Sequence, residues 1–246
     1  MKIAIVIPVY NEERTLCACI ERLRASHGGM GGGVVWDMIA VDDGSTDRSA
    51  VILAELAAVG AVYTIRHEIN RGKGAAIRTG LTAALARGAD IALIHDADLE
   101  YDPADHASVL APILDGRADA VIGSRFIGHT HRVLYYWHSV ANRIITTLSN
   151  MATNLNLTDV ECCTKALTRR VLERLNLTEE RFGIEIELIA KVARMRLPDG
   201  SGQRHARVYE VPVSYAGRTY EEGKKITWRD GAAAVWCIGK YGVFRA

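Results

Sequence analysis

Between Ile91 and Pro103 the chain reads IALIHDADLEYDP, an apolar run leading straight into three carboxylates spaced two apart, Asp96, Asp98 and Glu100. In extended backbone, residues i, i+2 and i+4 point to one face, so the three can converge. Unshielded, they repel one another. A divalent cation removes that repulsion, because hard cations favour carboxylate oxygens. A solvated turn, with each carboxylate facing water, accounts for the spacing equally well.

Other apolar runs end in polar groups of the same kind. PVYNEE offers Tyr10, Asn11 and Glu12, and VDDGST offers Asp42 and Asp43. NRGKGAA offers Asn70, Arg71 and Lys73, and GSR offers Arg125. Each has a plainer reading when taken alone. Glu12 suits the first turn of a helix, where its charge complements the dipole. Asp42 and Asp43 suit helix caps. NRGKG suits a simple turn, since it lacks the G-x-x-x-x-G-K-[ST] phosphate loop. In an open α/β sheet, however, ligands bind at the carboxyl ends of the strands, and all five groups fall there. Carboxylates that hold a metal beside cations that hold phosphate point to a metal-bridged nucleoside diphosphate.

The elements that must position these groups are legible as βαβ units around a mostly parallel sheet. KIAIVIP, WDMIAVDD, AVYTIR, DIALIHD and ADAVIGS read as strands. Helical spacing follows the first, with Leu16, Ile20 and Leu23. It recurs from Ser45 or Thr46, both plausible caps, and again with Ile77, Leu81 and Leu85. The glycine-rich SHGGMGGGVV precedes a strand rather than following one, so it reads as a surface loop and not as a phosphate cradle. Beyond Phe126 the pattern loosens: a polar IGHTHR loop, a long helix from about Tyr135 to Asn150, a helix in FGIEIELIAKVARM and an alternating strand in ARVYEVPVSY. The expected fold is α/β, one domain over 1–246. Its nucleotide-binding half covers about 1–125 and its acceptor half about 126–246.

A formal net charge of +1, with 24% charged residues, gives no nucleic-acid signature. Five cysteines without a C-x-x-C pair argue against a disulfide framework and a zinc knuckle, so a reduced cytoplasmic setting is expected. MKIAIVIPVY reads as a first strand rather than a signal peptide. The apolar GAAAVWCIGKYGVF is broken by Gly239 and Lys240 and falls short of the roughly 20 residues needed to span a bilayer. The segment ITWRDGAAAVWCIGKYGVF either packs on the core or rests on a membrane, with Trp228, Trp236, Tyr241 and Phe244 as anchors.

In order, IPVYNEE, VDDGSTD, NRGKGAA, DADLE and GSR resemble the family 2 glycosyltransferases of GT-A fold. The set is similar to the branch of dolichyl- and polyprenyl-phosphate sugar synthases. VPVSYAGRTYEEGKK is similar to that branch's C-terminal R-x-x-G-x-S-K segment. The resemblance implies that Pro8, Tyr10, Glu12, Asp42, Asp43, Lys73 and Asp96 bind the nucleotide sugar, a UDP- or GDP-sugar. It implies that Asp96, Asp98 and Glu100 hold Mg²⁺ or Mn²⁺. Asp98, Arg125, Arg218 and Lys224 would carry catalysis, the cations facing phosphates. Arg132, Ser139, Asn142 and Glu185 would lie near the acceptor.

The implied reaction inverts the anomeric centre and delivers the sugar to a polyprenyl phosphate, at the cytoplasmic face of a membrane. Such an acceptor is already an anion and needs no general base. An alcohol acceptor, metabolite or peptide, would need one. Glu185 and Glu187 are the candidates, and two residues apart on a helix they do not share a face. A solvated helix face is their plainer reading. The chain departs from the branch at Gly223, where the branch has serine, and at VLYYWH, where relatives place an acceptor-binding arginine. Two other classes stay in view: a non-catalytic nucleotide-sugar-binding module, and a nucleotidyltransferase. The latter would favour a basic glycine-rich loop where this chain has YNEE.

Overall fold

The computed structural model describes residues 1–28, 33–128, 132, 135–200, 202–218 and 228–243. Five strands follow in chain order: β1 (Lys2–Val9), β2 (Val35–Asp42), β3 (Tyr63–Arg66), β4 (Ile91–Ile94) and β5 (Ala120–Ser124). Between them run α1 (Leu16–Gly28), α2 (Ser49–Ala58), α3 (Lys73–Ala86) and α4 (His106–Leu114). The later part adds α5 (Tyr136–Thr153), β6 (Lys165–Thr168), α6 (Arg169–Leu172), α7 (Ile184–Arg194) and β7 (Arg196–Asp199). Then come β8 (Gly202–His205), β9 (Val208–Pro212), α8 (Trp228–Cys237) and a π-helical turn (Ile238–Val243).

Seven strands form one sheet in the order β3-β2-β1-β4-β6-β5-β9. All neighbours pair in parallel except β6, which runs antiparallel between β4 and β5. The fold is therefore the mostly parallel α/β sheet that the apolar runs predict. The inserted β6 escapes the sequence pattern because its first residue is a fully buried lysine, Lys165. Strands from both halves of the chain share this sheet. β1 and β4 are apolar throughout their buried lengths, as strands covered on both faces must be. Gly80 lets α3 lie directly on β1: a Cβ there would come within 2.3 Å of Val6 Cγ1.

The register brings the site together. Val9 pairs with Asp42, Asp42 with Arg66, and Ile94 with Val6, so the ends of β1, β2 and β4 lie side by side. Two expectations are corrected here. α2 starts at Ser49 rather than at Ser45 or Thr46, because the amides of those two residues are bound to Asp42 and Asn11. β4 ends at Ile94, so Asp96, Asp98 and Glu100 do not lie on extended backbone. They occupy a turn in which Leu99 has a φ of 63° and the Glu100 amide donates to Asp98 Oδ1 at 3.1 Å. Residues 29–32 of the glycine-rich connection lie outside the described residues. Among the described residues, no helix is long and apolar enough to cross a membrane. α8 and the π-helical turn pack on the core through Ala234, Cys237, Ile238 and Tyr241. The Trp228 side chain and Phe244 lie outside the described residues.

Three buried histidines tie α1, α4 and the end of β4. His27 Nε2 lies 3.0 Å from His106 Nδ1, and His106 Nε2 lies 3.0 Å from His95 Nδ1. His27 also stacks on Trp36, with ring centroids 3.8 Å apart. Burial lowers the His27 imidazole to about 4. The unfolded chain therefore binds more protons between pH 6.5 and 4, and the His27 contribution is present above that window and lost as pH falls through it. From about pH 7 to about pH 5 the loss at His27 alone amounts to about 2 kcal/mol. Urea midpoints at those two pH values should differ less in His27→Phe, which keeps the stacking but cannot titrate. An undiminished difference would mean that the buried histidines do not set the acid limit.

Candidate functional site

The YNEE and VDDGSTD segments are stapled to each other. The Asn11 amide donates to Ser45 Oγ at 3.0 Å, and the Glu12 amide to Ser49 Oγ at 2.8 Å. In return, Thr46 donates its amide to Asn11 Oδ1 at 2.8 Å. Asn11 adopts a φ of 52°, which asparagine tolerates better than most residues. Pro8 lies in β1 beyond the last pairing with β4, and Tyr10 is half-buried just past that strand.

The two adjacent aspartates are used differently. Asp42 is 2% exposed and accepts the Ser45 amide on Oδ1 at 2.9 Å. Its Oδ2 lies 3.2 Å from Arg66 Nε but accepts no hydrogen bond. A buried carboxylate oxygen left this way suits an N–H donor from a ligand. Asp43 instead organises NRGKG, accepting the amides of Arg71 and Gly72 at 3.0 and 2.7 Å and contacting His67 Nδ1 at 2.7 Å. Gly72, at a φ of 99°, has no room for a side chain, since a Cβ would meet the Glu180 carbonyl oxygen at 2.4 Å. The loop thus delivers Lys73, whose Nζ donates to Asp96 Oδ2 at 2.9 Å. Burial works against the Asp96 charge, but Lys73 overrides it and holds that carboxyl below its usual range.

Arg218 stands among the remaining carboxylates. Its guanidinium reaches both Glu12 oxygens at 3.2 and 3.3 Å, Asp98 Oδ2 at 3.1 Å and Glu100 Oε1 at 3.2 Å. The backbone sets this position: Ala216 donates its amide to the Glu100 carbonyl at 2.8 Å, and the Arg218 amide donates to Glu100 Oε1 at 3.0 Å. Tyr215 completes the clasp, its hydroxyl donating to Glu100 Oε2 at 2.7 Å. Even so, burial and the nearby charges of Asp96 and Glu100 push the Asp98 carboxyl up to about 7. Lys224 lies outside the described residues.

Arg125 is held by a residue that the motifs do not single out. It donates to Asp159 through Nε at 2.6 Å and Nη2 at 2.8 Å, and its Nη2 also reaches Asn142 Oδ1 at 3.2 Å. Asp159 is fully buried, and its amide donates to Glu210 Oε1 at 3.1 Å. A lone acid between LNLT and VECC was the available signal, but nothing in its spacing ties it to Arg125. Arg132 donates to the Gly217 carbonyl at 3.1 Å, next to Arg218. Ser139 is not brought in; its hydroxyl donates to the Tyr136 carbonyl of its own helix at 2.7 Å.

Glu185 and Glu187 do not lie on a solvated face: they are 3% and 0% exposed. Glu187 accepts the Thr178 and Glu179 amides at 2.8 Å each, closing the loop that leads into α7. Glu185 pairs with Lys165 through Oε2, while its Oε1 accepts no hydrogen bond and lies 3.7 Å from Lys73 Nζ. An ionic chain therefore runs from half-buried Asp96 and Lys73 through Glu185 to fully buried Lys165. Burial and the Glu185 charge push neighbouring Glu161 up to about 7.

Among the described residues, no three histidine, cysteine or acidic side chains form a ready-made metal cage. That is compatible with Mg²⁺-type sites, which use one or two carboxylates and complete the shell with substrate phosphates and water. Asp98 and Glu100 supply hard oxygens of the right kind, while Asp96, expected beside them, is paired with Lys73.

Residues 4–175 match the sequence profile of Glycosyl transferase family 2. An undecaprenyl-phosphate 4-deoxy-4-formamido-L-arabinose transferase from Proteus mirabilis is 29% identical over 91% of this chain and 62% of its own length. A UDP-N-acetylglucosamine–dolichyl-phosphate N-acetylglucosaminyltransferase from Methanococcus voltae is 35% identical over 50% of this chain and 51% of its own. The chain thus spans between half and two-thirds of these curated relatives. The fold superposes on glucosyl-3-phosphoglycerate synthase from Mycobacterium tuberculosis with a TM-score of 0.71, covering 98% of this chain and 80% of that one at 19% identity. That likeness is one of fold, the GT-A arrangement. With the profile covering well over half of its length, the chain belongs to glycosyl transferase family 2.

Proposed function

We propose that this chain transfers a sugar from a nucleoside diphosphate donor to a polyprenyl phosphate, with inversion and with the help of Mg²⁺ or Mn²⁺. The observation that carries the reading is the convergence of Glu12, Asp98 and Glu100 on Arg218 at the carboxyl edge of the sheet. Residues 1–125 form the donor half. In this reading Asp42 Oδ2 would accept from the base, Glu12 would meet the ribose, and Asp43 acts by holding the loop that carries Lys73. Asp98 and Glu100 would hold a divalent ion, which would supply positive charge at the departing diphosphate, while Asp96, the third carboxylate expected there, is paired with Lys73. Arg218 then exchanges carboxylate partners for phosphate oxygens, and the fixed guanidinium of Arg125 adds stabilisation where charge develops.

The mycobacterial fold neighbour was crystallised with Mn²⁺ and UDP, and both curated relatives are named for polyprenyl-phosphate acceptors. The curated relatives support the acceptor class, and the fold neighbour, whose complex also holds glucosyl-3-phosphoglycerate, supports only the donor class. The acceptor half, about 126–246, supports a phosphate as well. Its candidate bases are committed, Glu185 to lysines and Glu187 to backbone amides. An acceptor that arrives as an anion needs neither. The same lipid acceptor sets the proposed location, peripheral at the cytoplasmic membrane face.

A transfer screen tests the reading. UDP- and GDP-sugars, with Mg²⁺ or Mn²⁺, should yield an acid-labile glycolipid only when a short polyprenyl phosphate is present, and EDTA should abolish the product. Transfer to a soluble alcohol instead would overturn the acceptor assignment. Glu185→Gln separates the same alternatives. With a phosphate acceptor it should cost about 3–5 kcal/mol of stability by leaving Lys165 buried without its counter-ion, while kcat falls less than about tenfold. A fall of about 10²–10⁴ in kcat, in a folded variant, would identify a general base.

A further inference from the structure

α5 has an exposed apolar stripe that the transfer reaction does not use. One face of the helix is buried through Asn142, Thr146 and Ser149. Another carries Trp137, Ile144, Leu148 and Met151, whose spacing of seven, four and three keeps them on a single side. They are 75%, 55%, 37% and 78% exposed. α8 lies alongside and presents Val235 and Trp236 to solvent, at 46% and 69%. Ile145 and Ala152, between the stripe and the buried face of α5, pack on the cluster that contains Ala234 and Cys237 of α8. The two helices are therefore neighbours; the stripe on α5 forms an apolar face rather than scattered side chains, and Val235 and Trp236 add exposed apolar area on α8.

Charge decides what fits this face. No aspartate or glutamate occurs between Arg125 and Asp159, in a chain that has 29 of them. Exposed Arg143 flanks the stripe. In a two-fold pairing of copies the same patch would meet itself, bringing Arg143 towards its equivalent with no carboxylate on α5 to neutralise either. An anionic lipid surface meets both requirements, accepting the aromatic and aliphatic side chains and pairing with the cation. The face also adjoins the proposed acceptor side. The buried face of α5 places Asn142 3.2 Å from Arg125, and Arg132, just ahead of the helix, touches the backbone beside Arg218.

We infer that the exposed stripe of α5, with Val235 and Trp236 of α8, docks on the surface of a bilayer containing anionic lipid. The inference rests on the lipid-phosphate reading for its purpose, since an acceptor anchored in a bilayer is met at the bilayer surface. Flotation with vesicles of phosphatidylcholine, with and without about one-third phosphatidylglycerol, tests it on the full chain. The wild type should float with the anionic vesicles, and its tryptophan emission should shift to the blue. The triple variant Trp137→Ser, Ile144→Ser, Met151→Ser should bind them at least about tenfold more weakly. It should keep its melting temperature and its rate on a short, water-soluble polyprenyl phosphate without vesicles.

A wild type that floats with neither vesicle, or a triple variant that floats equally well, would overturn the inference. So would a vesicle-free dimer that the triple variant abolishes, which would assign the face to a second copy. Vesicle binding without any transfer to the soluble short-chain phosphate would support the docking face while overturning the acceptor reading.

Discussion

Three carboxylates, Glu12, Asp98 and Glu100, converge on one guanidinium, and their mutual repulsion constrains how the rest of the site is built. They come from two places, Glu12 from the segment just after β1 and Asp98 and Glu100 from the turn after β4, while Arg218 comes from a segment far along the chain. Left to themselves the anions would drive this edge of the sheet apart or take up protons, and burial together with the charges of Asp96 and Glu100 pushes Asp98 in the second direction. Arg218 offsets that repulsion. In the proposed reading a divalent ion with a diphosphate would relieve it more fully, the ion satisfying the carboxylates and the phosphates the arginine. In that reading the same charges would have a second use, holding the leaving group of a glycosyl transfer.

The surrounding polar residues keep this edge in register. Asn11 and Ser45 lock the loops after β1 and β2, Asp43 fixes the loop that carries Lys73, and Asp159 holds Arg125. Behind them, the ionic chain from Asp96 through Lys73 and Glu185 to Lys165 carries charge into the sheet itself. Buried ion pairs of this kind are weak evidence for stability, because desolvation offsets much of their attraction. Here they fix where the Lys73 ammonium sits, which matters for an anion-binding site.

The parallel half of the fold was legible because its strands are short apolar runs and its polar groups fall at their ends. The motifs that mark the donor side are local, so they survive being read as a string. What the string hides is pairing at a distance. Glu100 and Arg218 are far apart in the chain, as are Lys73 and Glu185, and only the sheet brings them together. β6 was missed because a buried lysine breaks its apolar pattern, and Asp159 because its partner lies 34 residues away. Glu185 and Glu187 look like solvent-facing acids on a helix, and are buried because lysines and loop amides compensate each charge.

The claim on which the account depends is that the Glu12–Asp98–Glu100 cluster is a site for a metal-bridged diphosphate. Calorimetric titration with UDP and GDP, with and without Mn²⁺, measures it directly, with Asp98→Asn as the comparison. The account predicts that one nucleotide binds at least about tenfold more tightly with Mn²⁺, a coupling of roughly 1.4 kcal/mol or more, and that Asp98→Asn loses this gain while remaining folded. Binding of equal strength with and without the metal, or a gain that survives in Asp98→Asn, would contradict it.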